Sequence, residues 1–199
     1  MNGSVFVYKL CKTEQSAARQ RQLELGLLEI MQTVPYGQIS ITDLCNRLQI
    51  PRKAFYRYFT DKEGALYSLI DHTLMEYENF SRPSRTESRT ITGDLEKFFL
   101  FWKSQKLLLD AFARSNLSHV LIHRTIHHTI NDIGISGRFL AADPEAAQPR
   151  VIQFALWGMM SMMLQWHSSG FGEPVRDLAI LAARLLTKPL FPISNLPHL

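Results

Sequence analysis

Apolar residues recur at three- and four-residue spacing along almost the whole of this 199-residue chain, and that pattern excludes most architectures. Leu23, Leu27, Ile30 and Met31 mark one such stretch; Val175, Leu178, Ala179, Ala182, Leu185 and Leu186 mark another. Alternating Val-, Ile- and Thr-rich runs of the kind that make half-buried strands are absent, and so is any fixed-period repeat. The chain is therefore expected to be all-α. Hydrophobic residues make up 46% and charged residues 20%, the balance of a globular chain long enough to bury a core without disulfides. Two cysteines, Cys11 and Cys45, exclude a disulfide scaffold and suit a reducing compartment. No stretch approaches the roughly 18 apolar residues of a membrane span. The longest candidate, 154–166, is interrupted by Gly158, Ser161 and Gln165. The first residues lack the basic run and small-residue cleavage site of a secretory signal. The expectation is a cytoplasmic protein with no membrane partner.

Turn residues divide the helical pattern. A first helix is expected over 17–33, stopped by Pro35, Tyr36 and Gly37. A short second helix, 41–48, has Ser40 as N-cap and Asp43 at capping-box spacing, with Leu44, Cys45 and Leu48 inward. After the turn Gln49-Ile50-Pro51, Pro51 suits the start of a third helix over 52–59. Thr60 or Asp61 would cap a fourth, 62–80. Composition then shifts to SRPSRTESRTIT over 81–92, read as a hinge or linker. Further helices are expected over 94–103, 105–116, 117–133, 148–169 and 174–186, before a tail carrying Pro189, Pro192 and Pro197. Two domains follow: 1–80, with a flexible extension over about 1–14, and 81–199.

The formal net charge of +4 says little until it is located. Residues 1–80 carry nine basic and nine acidic side chains. Within them, residues 47–60 hold Arg47, Arg52, Lys53 and Arg57 and no acid, with Tyr56 and Tyr58 interleaved. A short helix, a three-residue turn and a basic, aromatic second helix are the pattern of a helix-turn-helix. Cations on such a helix neutralise phosphates, hydroxyls set register on phosphate oxygens, and residues at its start reach base edges. Phe55 and Phe59, four apart, would face inward. The other reading of the window is a solvated basic face on an ordinary helix pair.

Residues 41–66, ITDLCNRLQIPRKAFYRYFTDKEGAL, resemble the DNA-binding signature of TetR-family transcriptional regulators. The matching positions are Cys45, the turn 49–51, Phe55, Tyr56, Tyr58, Phe59, Lys62, Glu63 and Leu66. The resemblance implies that Tyr56, Tyr58 and Lys62 contact phosphates and that Thr42, Arg52, Lys53 and Ala54 lie at base edges. It also implies that Ser40 caps the second helix against a phosphate. Gln49 stands where the family has Gly, and Pro51 where it has Ser or Thr. LEKFFLFWKSQKLLLDAF, 95–112, is more loosely similar to the start of the family's regulatory domain. That domain typically binds a small effector and dimerises through its last two helices. The family implies a homodimeric repressor on double-stranded DNA with a palindromic operator.

The helix over 151–166 is apolar nearly all round, so one subunit cannot cover it on every side. Trp157, Met160, Leu164, Leu178, Ala182 and Leu185 are the candidate dimer contacts. Phe98, Trp102, Phe112, His119, His123, Met159 and Met163 are candidates for an effector site, which would favour a lipophilic or aromatic molecule. His119, His123 and His127 recur at four-residue spacing with His128 adjacent. They could chelate a metal, sense pH or simply border the Ile122, Ile126, Ile130 face, and the last is preferred. No phosphate-binding Gly-rich Lys loop, His-Glu-x-x-His or Gly-x-Ser-x-Gly motif is present, and no cofactor, catalytic residue or metal is expected. Two alternatives stand beside the regulator: a protein-binding adaptor of the same fold, and a metal-dependent enzyme built on the histidine row.

Overall fold

The computed structural model describes Tyr8 and residues 11–82, 90–131 and 149–188, with positions 130 and 131 as backbone only. Among these residues the chain is helical, as expected: α1 (Glu14–Met31), a 3-10 turn (Tyr36–Gln38), α2 (Ile41–Arg47), α3 (Arg52–Phe55), α4 (Lys62–Ser81), α5 (Ile91–Ser104), α6 (Lys106–Arg114), α7 (Ser118–Asn131), α8 (Pro149–Ser168) and α9 (Val175–Thr187). The one extended feature among them is an isolated antiparallel pair, Tyr8 with Phe59. No helix is long and apolar enough to cross a membrane. Most of the expected linker and all of the Pro-rich tail lie outside the described residues.

The chain forms two compact units, Met1–Met75 with Leu107–Thr125, and Glu76–Lys106 with Ile126–Leu199. The first is built on α1, α2, α3 and most of α4, with α6 and the start of α7 added. Leu23, Leu27, Met31, Leu44, Phe55, Leu69, Ile70, Phe112 and Leu121 are buried in it. α1 packs on α2 and α2 on α3. Gly26 permits the first contact, because a Cβ there would stand 2.8 Å from the Leu48 side chain. A polar seam runs through the same unit. Glu24 is fully buried. Ser68 Oγ donates to it (2.6 Å), Arg21 Nη1 lies 3.1 Å away, and His72 Nδ1 lies 2.7 Å from Oε2. Gln20 Nε2 donates to Ser68 Oγ (2.7 Å), and the Cys11 thiol donates to Gln20 (2.7 Å). Every polar group in the seam has a partner, which is the condition for burying a carboxylate.

Local chemistry sets the boundaries. Thr13 Oγ1 accepts from the Ser16 N–H (3.2 Å), so α1 starts three residues before the expected position 17. Tyr8 pairs with Phe59, and its hydroxyl donates to Asp71 of α4. The capping box of α2 forms as expected: Ser40 Oγ accepts from the Asp43 N–H and the Asp43 carboxylate accepts from Ser40. Those bonds hold the Asp43 carboxyl below its ordinary pKa. Asp61 caps α4, accepting from the Gly64 N–H (2.8 Å). α3 is shorter than the expected 52–59. It closes after one turn, and Phe59 turns instead into the backbone pair with Tyr8.

α2 ends on Gln49, whose φ of 52° puts a non-glycine residue in the left-handed region while the Ile50 N–H closes on the Cys45 carbonyl (3.0 Å). Gln49→Gly is expected to raise the unfolding free energy by about 0.5–1 kcal/mol, read by urea titration, because glycine occupies that conformation without the Cβ clash. A loss of stability would show that the Gln49 side chain does something that outweighs its strain.

In the second unit α5 packs along α9 and on α8. Phe98, Phe99, Phe101, Trp102 and Trp166 are buried there. Their rings meet edge-on, Phe98 with Phe99 at 5.2 Å and Phe99 with Trp166 at 6.0 Å, an arrangement aromatic quadrupoles favour. Trp166 Nε1 donates to the Glu173 carbonyl (3.0 Å), fixing the turn at Gly170 and Phe171 between α8 and α9.

Candidate nucleic-acid interface

α2, the turn and α3 rest on a dry base. Leu44, Cys45, Phe55 and Phe59 are buried, and the rings of Phe55 and Phe59 meet at 5.2 Å. Burial also raises the Cys45 thiol pKa, which leaves it a packing residue. With these side chains inward, Thr42, Arg52, Lys53, Tyr56 and Arg57 are exposed, while Ala54 and Tyr58 are half-buried. Arg52 Nη2 donates to the Tyr56 hydroxyl (3.2 Å), and its guanidinium lies 5.9 Å from that ring. Arg57 belongs with these exposed cations. It was visible in the charge count but carried no motif role.

The basic window is less charged than its sequence. Arg47 pairs with Glu29 of α1 at 2.5 Å, so Arg52, Lys53 and Arg57 carry its positive field. Ser40 is occupied by its capping box, its hydroxyl donating to Asp43 (2.6 Å). Lys62 does not reach outward. Its Nζ donates to the carbonyls of Tyr36 (2.7 Å) and Ile39 (2.6 Å) and sits 4.2 Å from the centre of the Tyr36 ring. Burial lowers its pKa below the usual lysine value.

The effector candidates divide between the two units. Phe98, Trp102, Met159 and Met163 are buried in the second; Phe112, His119 and His123 belong to the first, the two histidines exposed. His127 is exposed as well, while Ile122 and Ile126 are buried, so the row borders a core face. Among the described residues no three metal-ligating side chains converge. An open groove of about 470 Å³ on the first unit, lined by Ala18, Leu25, Gly26, Leu48, Arg21 and Glu29, includes none of the effector candidates. Of the dimer candidates, Met160, Leu178 and Ala182 are buried. Trp157 and Leu164 are half-buried, and Leu185 is exposed. The most exposed apolar side chain of α8 is Phe154, at 76%, with Val151 beside it and Ile180, Leu181, Leu185 and Leu186 exposed on α9. A helix apolar on all sides gives no sequence signal for which side its own subunit covers.

No protein-family model matches the chain, and no curated protein matches it. Solved structures do share its fold. One is the fatty acid degradation regulator FadR from Bacillus halodurans, 13% identical, with a TM-score of 0.59 over 91% of this chain and 98% of that one. Another is the dihydroxyacetone kinase operon activator DhaS, 15% identical, with a TM-score of 0.52 over 85% and 94%. Both are regulators, and the described residues of the chain share their helical fold.

Proposed function

We propose that this protein is a DNA-binding transcriptional regulator of the TetR type. The observation that carries the reading is the exposed set Thr42, Arg52, Lys53, Tyr56 and Arg57 on a helix-turn-helix whose apolar side is closed by Phe55 and Phe59. The likeness to regulators of the same fold supports it. Residues 1–80 would read DNA, with Arg52, Lys53, Ala54 and Thr42 toward base edges and Tyr56 and Tyr58 on phosphates. The region 81–199 would bind the effector and dimerise. The uncovered apolar side chains of α8 and α9, Phe154 foremost, support a two-fold partner there, and two reading heads suit a palindromic site. The aromatic and Met side chains buried in the second unit favour a lipophilic or aromatic effector, whose binding would release a repressor from its operator.

Selection from a random duplex pool tests the reading. The wild-type protein is expected to enrich a palindrome. Arg52→Ala should then lose about 1–3 kcal/mol of discrimination at one position of each half-site. Tyr56→Phe should weaken all duplexes alike. Recovery of no enriched sequence, with no salt-dependent binding to any duplex, would leave the adaptor as the better account.

A further inference from the structure

The segment that leads into α2 is held from two helices of its own unit. On one side is α6. Gln32 Nε2 donates to the Leu107 carbonyl (3.0 Å), and the Tyr36 N–H donates to Ser115 Oγ (3.0 Å), just past the helix end. On the other is α4, whose first residue, Lys62, reaches the carbonyls of Tyr36 and Ile39 and lies over the Tyr36 ring. Ile39 directly precedes Ser40, the cap of α2, and Thr42 stands in the first turn of that helix. The ammonium therefore bridges both ends of the 3-10 turn that sets where α2 begins. Two of its three N–H donors are engaged in charge-assisted bonds, and the third side is shielded by an aromatic face. A phosphate contact would require breaking those bonds.

We propose that Lys62 is a positioning residue of the DNA-reading head, fixing the 36–39 turn and with it the start of α2, and that it lends no charge to a DNA phosphate. This rests on the DNA-binding reading above. An exposed phosphate-neutralising lysine and a positioning lysine differ in salt dependence. Removing one phosphate contact lowers the slope of log K against log[salt] by about 0.9, whereas removing a positioning group lowers affinity at constant slope.

The test uses the full chain, the tightest duplex selected by the wild-type protein, and anisotropy titrations across salt, well below the melting temperature of each variant. Arg57→Met, which removes an exposed cation not placed at a base edge, is expected to lower the slope by about 0.9. Lys62→Met is expected to keep the wild-type slope and lose about tenfold in affinity. Lys62→Arg keeps the charge but offers a planar fork to a site shaped for a point donor, so it should lose affinity nearly as much. Without DNA, amide exchange at Gln38, Ile39 and Ser40 should quicken in both Lys62 variants. A reduced slope in Lys62→Met, or wild-type affinity in Lys62→Arg, overturns the proposal. If the wild-type protein binds no duplex, the DNA-binding reading fails by itself, and the exchange measurement still decides whether Lys62 holds the turn: unchanged exchange overturns it.

Discussion

Phe154→Arg is expected to convert the proposed dimer into monomers and to weaken binding to a palindromic duplex by about 10²- to 10⁴-fold, while leaving the stability of the subunit within about 0.5 kcal/mol. The two effects separate because Phe154 is 76% exposed and contributes little to the core of its own unit. In a two-fold interface each substitution occurs twice, so a guanidinium is placed against apolar surface on both sides of the axis. Each Phe no longer buried removes about 2–3 kcal/mol, and two unpaired charges then lack water. Loss of the dimer removes the second half-site contact, and the first head binds with only its own affinity. Met160→Arg is the comparison: Met160 is fully buried in one unit, so that variant should lose its fold instead. Sedimentation velocity at micromolar protein reads the first outcome and thermal melting the second. A dimer that survives Phe154→Arg would place the interface elsewhere.

How far the sequence foretold the structure varies from residue to residue for physical reasons. The capping box of α2 was legible because Ser40 and Asp43 stand three apart and each completes the other with no help from the rest of the chain. The same holds for the inward pair Phe55 and Phe59, whose spacing matches a helix turn. The length of α3 was not legible, because Phe59 leaves the helix to pair with Tyr8, a partner more than fifty residues earlier. Glu24 shows the same limit. Its neighbours Leu23 and Leu27 mark the apolar face of α1, but nothing near it signals that Ser68 and His72 of α4 will receive a fully buried carboxylate. Periodicity reports which side of a helix is apolar, not which apolar side its own subunit covers. Met160 and Leu178 are buried within the subunit, whereas Phe154, on the same apolar helix as Met160, is 76% exposed. Lys62 illustrates a third limit. A family motif supplies a residue type at a position, but the partners of its ammonium are backbone carbonyls, which no side-chain pattern encodes.

Asp71→Ala is expected to destabilise the first unit by about 2–4 kcal/mol. Asp71 is buried on α4. Arg124 of α7 grips its carboxylate with two donors, Nε at 2.7 Å and Nη2, and the Tyr8 hydroxyl donates to the same group. The Arg124 guanidinium also lies 5.1 Å from the Tyr67 ring, and the carboxylate raises its pKa further by favouring the charged form. One carboxylate thus ties three separate parts of the chain, and its removal leaves a half-buried cation and a half-buried hydroxyl unanswered together. Tyr8→Phe removes a single donor and should cost about 1 kcal/mol. Asp71→Leu with Arg124→Leu removes both charges and fills the space with carbon. It should therefore recover most of what Asp71→Leu alone loses, and with Arg124→Leu as the other single variant the double-mutant cycle should give a coupling energy of about 2 kcal/mol by urea unfolding. Additive losses in that cycle would mean that Asp71 and Arg124 stabilise the unit independently, each through packing, and that the ion pair between them contributes nothing of its own.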